Sequence, residues 1–174
     1  MAIERADIVI RRLTQDDLPA AIAIQAATYP AFLLEGLEAF ASRLVVPASY
    51  CLAAVRDGAL VAYLLAHGWA SEAPPPIGTV LGGDASGDIL FIHDLAVSSA
   101  ARGTGLGRRL VDHAADLAWR DGLRQAELIA VDGAAGYWRG LGFADGNPSP
   151  TLATKVAAYG AEARWMTRSI GSAG

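Results

Sequence analysis

The sequence lacks several features on which whole classes of proteins depend. A single cysteine, Cys51, among 174 residues excludes a disulfide framework and a multi-cysteine zinc site. Charged residues make up only 18% of the chain and the net charge is -4, so no basic surface for nucleic acid is expected. The longest apolar run, residues 59–66, is far too short to span a membrane. We therefore expect a protein that binds neither nucleic acid nor membrane.

Apolar residues, in contrast, are plentiful. They make up 53% of the sequence, which excludes a disordered chain and suffices for a hydrophobic core. We predict a single domain over residues 1–174, because this length is typical of one domain. Residues 1–7 carry no apolar segment behind a basic one, which excludes a secretory signal and favours a cytoplasmic location. His67 and His113 lack the spacing of metal ligands, so no metal site is expected.

Strand-like and helix-like patterns alternate along the chain. The predicted strands are residues 7–13, 50–55, 60–67, 88–97, 126–131 and 163–170, and the predicted helices are residues 14–27, 36–44, 106–121 and 134–141. Asp57-Gly58 marks a hairpin turn, whereas the second half of the chain alternates strand and helix. This order predicts an α/β fold with a mixed sheet that contains a parallel pair.

Residues 102–109 form a glycine-rich segment between a predicted strand and a predicted helix. Three glycines at alternate positions permit tight turns and let a ligand approach the main-chain amides without interference from a Cβ atom. The helix that follows presents unpaired N–H groups and the positive end of its dipole, which suit a phosphate. Arg102, Arg108 and Arg109 add positive charge at the same place. The segment predicts a pyrophosphate cradle, with a flexible turn that carries solvated arginines as the alternative.

Two common phosphate loops do not fit this segment. A Walker A loop needs a lysine after its last glycine, and the only lysine of the chain is Lys155. A dinucleotide-binding fingerprint needs a third glycine at the position that Leu110 occupies, and it follows a first strand rather than a later one. Both types of nucleotide site are therefore disfavoured.

A third pattern does fit. Arg102, Gly105 and Gly107 follow the strand end Leu95-Ala96-Val97 in an arrangement that resembles the GNAT superfamily of N-acetyltransferases. Residues 134–143 resemble the late motif of the same family, which ends in Leu-Gly-Phe. The two motifs come in the family's order, separated by one helix and one strand, and this pairing makes the resemblance specific.

The resemblance implies a GNAT fold, in which a mixed sheet of about seven strands is flanked by about four helices. Its fourth and fifth strands, residues 89–97 and 126–131, would splay apart. It also implies acetyl-CoA as co-substrate and an amine-bearing small molecule or peptide as acceptor. The residues that would contact acetyl-CoA are Leu95, Ala96, Val97, Arg102, Gly103, Thr104, Gly105, Leu106, Gly107, Arg108 and Trp138.

Catalytic side chains are harder to assign. His93 and Asp94 interrupt an apolar strand beside the expected thioester, so each is a candidate base, although both could be satisfied core residues. As neighbours in a strand they are expected to point to opposite faces. The tyrosine that protonates the thiolate in this family matches Trp138, and an indole N–H is a very poor acid. Tyr137, one residue earlier, is the candidate acid, with packing as its alternative role. The other possibilities are that water supplies the proton or that the thiolate leaves without protonation by a side chain.

The acceptor side can be outlined only through the resemblance. It implies that residues 29–38 line the acceptor pocket, with Tyr29, Phe32 and Glu35 as candidates to grip an amine. Residues 70–88, called here the 70–88 segment, could be a lid over that pocket or a contact in a homodimer. We expect an N-acetyltransferase, and the alternatives are an acyl-CoA-binding module without turnover and a nucleotide-binding signalling domain.

Overall fold

The computed structural model describes residues 7–171 of the chain. Residues 1–6, to which most of the signal-peptide prediction refers, and residues 172–174 lie outside the described part. The strands are β1 (Ile8–Arg12), β2 (Leu52–Arg56), β3 (Ala59–Trp69), β4 (Ile89–Val97), β5 (Gln125–Ala130), β6 (Ala144–Asp145) and β7 (Arg164–Ser169). The helices are α1 (Leu18–Thr28), α2 (Leu37–Val45), α3 (Leu106–Arg120), α4 (Ala135–Gly140) and α5 (Pro150–Ala157).

The seven strands form one mixed sheet in the order β1-β2-β3-β4-β5-β7-β6. Neighbouring strands are antiparallel except β4 and β5, which run parallel. The parallel pairing extends only from Leu90↔Ala126 to Ile92↔Leu128, although β4 continues to Val97. The two strands therefore separate beyond Ile92, and the predicted mixed sheet with its splay between strands four and five is confirmed.

A β-bulge in β4 lies at the point where the two strands separate. In the pairing with β3, Leu65 faces Asp94 whereas Ala66 faces Ile92, so that His93 has no partner residue. Ile92 and Leu95 both pack in the core beneath α3, which places the two residues between them on the opposite face of the sheet. The expectation that His93 and Asp94 point to opposite faces is therefore wrong, because the extra residue of the bulge breaks the strand alternation.

Helices cover both faces of the sheet. The apolar stripe of α3 packs on one face, and its small residues Ala114 and Ala118 let the helix approach the strands closely. On the other face, α1 and α2 pack through Leu18 and Phe40, and α5 packs through Leu152 nearer the far edge. The described part of the chain has five helices flanking the sheet, one more than the about four expected, because α5 was not predicted. Within residues 7–171 no helix is both long and apolar enough to cross a membrane.

Candidate active site

Two connected cavities open where β4 and β5 separate. One, of about 240 Å³, extends from the β4 bulge to α4 and is called here the bulge cavity. The other, of about 400 Å³, extends from the end of β4 to the start of α3 and is called the loop cavity. Thr28, Leu95 and Tyr137 line both, so the two cavities form one continuous cleft.

The loop cavity is built by the glycine-rich segment. Gly103 and Gly105 adopt positive φ angles of 76° and 73°, which only glycine adopts without strain. Gly105 is the N-cap of α3, so the first amides of that helix, which have no acceptor inside it, open toward the cavity. The helix start therefore offers N–H donors and a positive dipole end to an anionic group.

Most residues predicted to contact acetyl-CoA line this cleft. The loop cavity is lined by eight of them, namely Leu95, Ala96, Val97, Arg102, Gly103, Gly105, Leu106 and Gly107. Trp138 lines the bulge cavity instead. Thr104 and Arg108 do not line either cavity: the Thr104 hydroxyl donates to the Ala101 carbonyl at 2.6 Å, and Arg108 donates to the Gly140 carbonyl at 2.5 Å. Their predicted contacts with acetyl-CoA stay predictions.

Tyr137 and Trp138, adjacent on α4, have different surroundings. Tyr137 is 48% exposed and lines both cavities. A Cβ atom added at Gly107 would overlap its hydroxyl, so the phenol lies directly over the first turn of α3. Trp138 is buried and packs edge-on against Phe143, with ring centroids 5.4 Å apart. The phenol at position 137 is thus the O–H group that α4 presents to the cleft, and the indole forms part of its wall.

His93 contacts a carboxylate from the loop before α2. Glu35 Oε1 is hydrogen-bonded to His93 Nε2, and Glu35 Oε2 accepts the backbone N–H of Gly78 at 2.6 Å. Arg43 Nη2 lies 3.9 Å from the same Oε2 atom, and the Arg43 side chain is fully buried. Burial alone would raise the pKa of Glu35, but the hydrogen bond and charge of His93, together with the charge of Arg43, hold it below its ordinary value.

The backbone of Glu35 is fixed as well. Gln25 on α1 is 2% exposed. Its side-chain oxygen accepts the Glu35 N–H at 2.8 Å, and its side-chain nitrogen donates to the Glu35 carbonyl at 3.0 Å. Both ends of the Glu35 residue are therefore held, its main chain by Gln25 and its carboxylate by His93 and Gly78.

Asp94 lies on the same face of the sheet in a different set of contacts. Its Oδ2 accepts the Tyr63 hydroxyl at 2.6 Å, and beside it the Tyr29 hydroxyl donates to the Leu95 carbonyl at 2.7 Å. Burial raises the pKa of Asp94, and the hydrogen bond from Tyr63 opposes that rise. The bulge thus brings His93 and Asp94 together on the wall of one cavity.

The three residues predicted to grip the acceptor amine lie in different places. Tyr29 and Glu35 line the bulge cavity, whereas Phe32 is 60% exposed and lies against Gly160. Ile77 of the 70–88 segment also lines the cavity, and Tyr159 lines it while its hydroxyl donates to the Pro75 carbonyl at 2.6 Å. Sequence reasoning missed the contact between Glu35 and His93, and no local signal reveals it.

Within residues 7–171 no group of three potential metal ligands was found.

Comparisons with known proteins agree with this architecture. The fold is similar to ribosomal-protein-S18-alanine N-acetyltransferase from Escherichia coli, with a TM-score of 0.67, 21% identity and 97% of each chain covered. It is also similar to the GNAT-like decarboxylase GphF in complex with isobutyryl-CoA, with a TM-score of 0.69, 18% identity, and 94% of this chain and 100% of that chain covered.

A third similar structure belongs to a longer protein. N-acetylglutamate synthase from Neisseria gonorrhoeae, complexed with coenzyme A and N-acetyl-glutamate, matches with a TM-score of 0.68 and 17% identity. The match covers 97% of this chain but only 36% of the synthase, so this chain spans about a third of that protein. At these identities the three structures show the fold alone.

Sequence comparison assigns the family. A search of curated proteins found no match. The model of the acetyltransferase (GNAT) family, however, matches residues 12–143, which is well over half of the chain. The match includes the glycine-rich loop and the late motif of residues 134–143, which are the two motifs identified in the sequence. It also includes the two splayed strands. The chain therefore belongs to the GNAT acetyltransferase family.

Proposed function

We propose that the protein is an acyl-CoA-dependent N-acyltransferase that moves an acetyl group from acetyl-CoA to an amine. The observation that carries the proposal is the continuous cleft between β4 and β5. One end of the cleft offers main-chain donors at the start of α3, and the other end holds His93 and Asp94. The anionic part of acetyl-CoA can thus bind at one end of the cleft, and its thioester can lie near His93 and Asp94 at the other end.

The donor fits the loop cavity. The pyrophosphate would bind the first amides of α3, because the space beside Gly105 is open, with no atom within 4 Å of where its Cβ would lie. The pantetheine arm would extend along Leu95–Val97, the part of β4 that β5 leaves unpaired. The synthase from Neisseria gonorrhoeae, which has the same fold, was solved with coenzyme A, and this supports the choice of donor.

The proposed reaction is a direct transfer. The amine first loses one proton to solvent and becomes neutral. Its nitrogen then attacks the thioester carbonyl carbon, forming a C–N bond and a tetrahedral oxyanion, and the further proton lost by the nitrogen passes to His93. The oxyanion then collapses, the C–S bond breaks, and the sulfur leaves as a thiolate that gains one proton. The products are an N-acetyl amine and the free thiol of coenzyme A.

The residues that move protons follow from their surroundings. His93 is the proposed base, because its ring lines the cavity, whereas the Asp94 carboxylate is buried and already accepts the Tyr63 hydroxyl. Asp94 remains a candidate catalytic residue through its place on the cavity wall. Tyr137 is the proposed acid for the thiolate, since its phenol lines both cavities and Trp138 offers only an indole N–H.

The acceptor is proposed to be an amine without a carboxylate close to the reacting nitrogen. The residues that line the bulge cavity include Glu35, Asp94 and Asp132, whereas none of the described lining residues is lysine or arginine. Such a lining favours a cationic amine over an anion. Both a small amine and the end of a peptide remain compatible with this charge pattern.

The proposal is tested by binding and then by turnover. Calorimetric titration should show that acetyl-CoA binds selectively over ATP and NAD, and free thiol should then appear only when an amine from a panel is present. Binding without thiol release would instead indicate an acyl-CoA-binding module. Preferred binding of ATP would contradict the proposal altogether.

A matched pair of variants tests the position of the pyrophosphate. Asparagine and aspartate both tolerate the positive φ of Gly105 better than other residues, and they differ mainly in charge. Gly105→Asp should therefore bind acetyl-CoA about tenfold more weakly than Gly105→Asn, because its carboxylate faces the phosphates. Equal affinities of the two variants would contradict this position.

A further inference from the structure

We infer that Glu35 is a positioning residue that holds the His93 ring with the proton on Nε2, leaving Nδ1 free to accept the proton of the acceptor amine. The inference rests on the proposed function and extends it to a residue that the family motifs do not contain. It is carried by the hydrogen bond between Glu35 Oε1 and His93 Nε2 inside the cleft.

The direction of that hydrogen bond follows from the charge of Glu35. The carboxylate accepts the Gly78 N–H and lies 3.9 Å from the guanidinium of Arg43, contacts that favour its ionised form, and an ionised carboxylate can only accept hydrogen bonds. His93 must therefore donate from Nε2. In the neutral imidazole the other nitrogen, Nδ1, then carries the lone pair and is the atom able to take a proton.

The other contacts of Glu35 keep its carboxylate in place against His93. Its second oxygen is occupied by the Gly78 N–H and faces the buried guanidinium of Arg43, and its main chain is clamped by Gln25. The side chains of Glu35 and His93 are only 5% and 4% exposed, so water competes little for the bond. A carboxylate fixed in this way orients an imidazole as the acidic member of a catalytic triad does.

Glu35→Gln is a sharp test because glutamine has nearly the same shape. Its NH₂ group must take the place of one carboxylate oxygen. In one orientation it meets the Gly78 N–H and Arg43, which are also donors. In the other it donates to His93 Nε2, which forces the ring proton onto Nδ1 and removes the free lone pair there. The first orientation sets donor against donor and loses the Gly78 hydrogen bond, so we expect the second orientation, which reverses the tautomer of His93.

Glu127→Gln is the matched control. Glu127 is also a buried glutamate, 1% exposed, and it accepts the Ser71 hydroxyl at 2.5 Å and the Glu72 N–H at 3.0 Å. It therefore holds the 70–88 segment as Glu35 does through Gly78, but it does not line the bulge cavity. An effect that arises only from loosening that segment would appear in both variants.

Kinetics with acetyl-CoA and the best amine of the panel give the first readout. We expect Glu35→Gln to lower kcat at least about tenfold with little change in the KM for acetyl-CoA, and Glu127→Gln to stay within about twofold of the wild type. In a His93→Ala background, Glu35→Gln should add little further loss, because it acts through the missing ring. Equal losses in the two glutamine variants, or full additivity with His93→Ala, would overturn the inference.

Nitrogen NMR of protein labelled with ¹⁵N-histidine gives a readout that does not need turnover. The wild type should show His93 protonated at Nε2, and Glu35→Gln should show a different proton position. A wild-type ring protonated at Nδ1 would overturn the inference even in an active enzyme. A protein with the expected Nε2 proton but no amine-dependent thiol release would instead contradict the proposed function, so the two failures are distinguishable.

Discussion

At the scale of single residues, Gly107 is notable because the Tyr137 side chain packs directly against it. A methyl group at this position would overlap the Tyr137 hydroxyl, and both residues line the loop cavity. Gly107→Ala should therefore displace the phenol into the cleft or lose the close approach of the donor. We expect acetyl-CoA to bind about tenfold more weakly, since overpacking of this kind costs about 1–3 kcal/mol.

Calorimetric titration measures this effect, and Gly136→Ala supplies the control. Gly136 lies on α4 next to Tyr137, but a methyl group there would meet no atom within 4 Å. It should leave the affinity for acetyl-CoA unchanged. If the two alanine variants bound acetyl-CoA equally well, the close packing of Tyr137 on α3 would not matter for the donor.

Residues differ in how far the sequence alone reveals their roles. The donor residues belong to one contiguous strand and loop, so the motif predicts their common location, and eight of them do line one cavity. Glu35 and His93 are 58 positions apart, and their contact depends on the packing of α1 and α2 against the sheet. The face on which His93 lies depends on a bulge that breaks the alternation, and nothing in the local residue pattern indicates it.

At the scale of elements, the helices and strands with a strong hydrophobic pattern are the ones that could be predicted from the sequence. The hairpin of β2 and β3, the buried strand β4 and helix α3 agree closely with their predicted ranges, because each has a long apolar repeat. Helix α5 was missed because it buries only Leu152 and Val156, and β6 because it has two residues. The predicted first helix begins instead with a short 3₁₀ turn over Gln15–Asp17, and α1 follows it.

The junction between β1 and α1 depends on one carboxylate. Asp17 accepts the Thr14 N–H at 2.8 Å and both terminal nitrogens of Arg11 at 2.6 and 2.8 Å. The hydrogen bond from Arg11, aided by Thr14, lowers the pKa of Asp17 to about 2 from an ordinary value of 3.8. Because the folded pKa lies below the unfolded one, the stabilisation is complete above pH 3.8 and is lost as the pH falls through about 2.

Asp17→Asn should therefore lower the free energy of unfolding by about 1 kcal/mol at pH 7, a figure reduced for the partial exposure of Arg11. The difference between variant and wild type should shrink as the pH falls below about 4. Denaturant unfolding of both proteins at several pH values measures it. The exposed neighbour Asp16 gives the control, and Asp16→Asn should change stability much less. A difference that stays constant down to pH 2 would show that charge is not the cause.

At the scale of the whole molecule, buried polar groups accumulate near one face of the sheet. Gln25, Glu35 and Arg43 are joined by hydrogen bonds and an ion pair near the bulge cavity, and Asp94 on the wall of that cavity accepts the Tyr63 hydroxyl. His67 on β3 also has a buried nitrogen, Nε2, with no hydrogen-bond partner among residues 7–171, as have Nε and Nη2 of Arg43. Burial, together with the positive charges of Arg43 and His93, lowers the pKa of His67 to about 3 from an ordinary value of 6.5.

This histidine links the stability of the fold to pH. Between pH 6.5 and about 3 the unfolded chain binds a proton at residue 67 that the folded chain does not, so stability falls as the pH is lowered through this range. One such group gives a slope of about 1.4 kcal/mol per pH unit. The loss of stability from this group is therefore absent above pH 6.5, grows as the pH falls, and is complete below about pH 3.

His67→Leu removes the titrating group from surroundings that are already apolar, among them the rings of Trp69 and Phe91. We expect its stability at pH 7 to lie within about 1–2 kcal/mol of the wild type, because the variant loses one hydrogen bond to the Gly68 carbonyl but also a buried unpaired nitrogen. Urea unfolding at pH 7, 6 and 5 should show the wild type losing stability relative to the variant as the pH falls. All other titrating groups are common to both proteins, so parallel curves would mean that His67 is protonated in the fold as readily as in the unfolded chain.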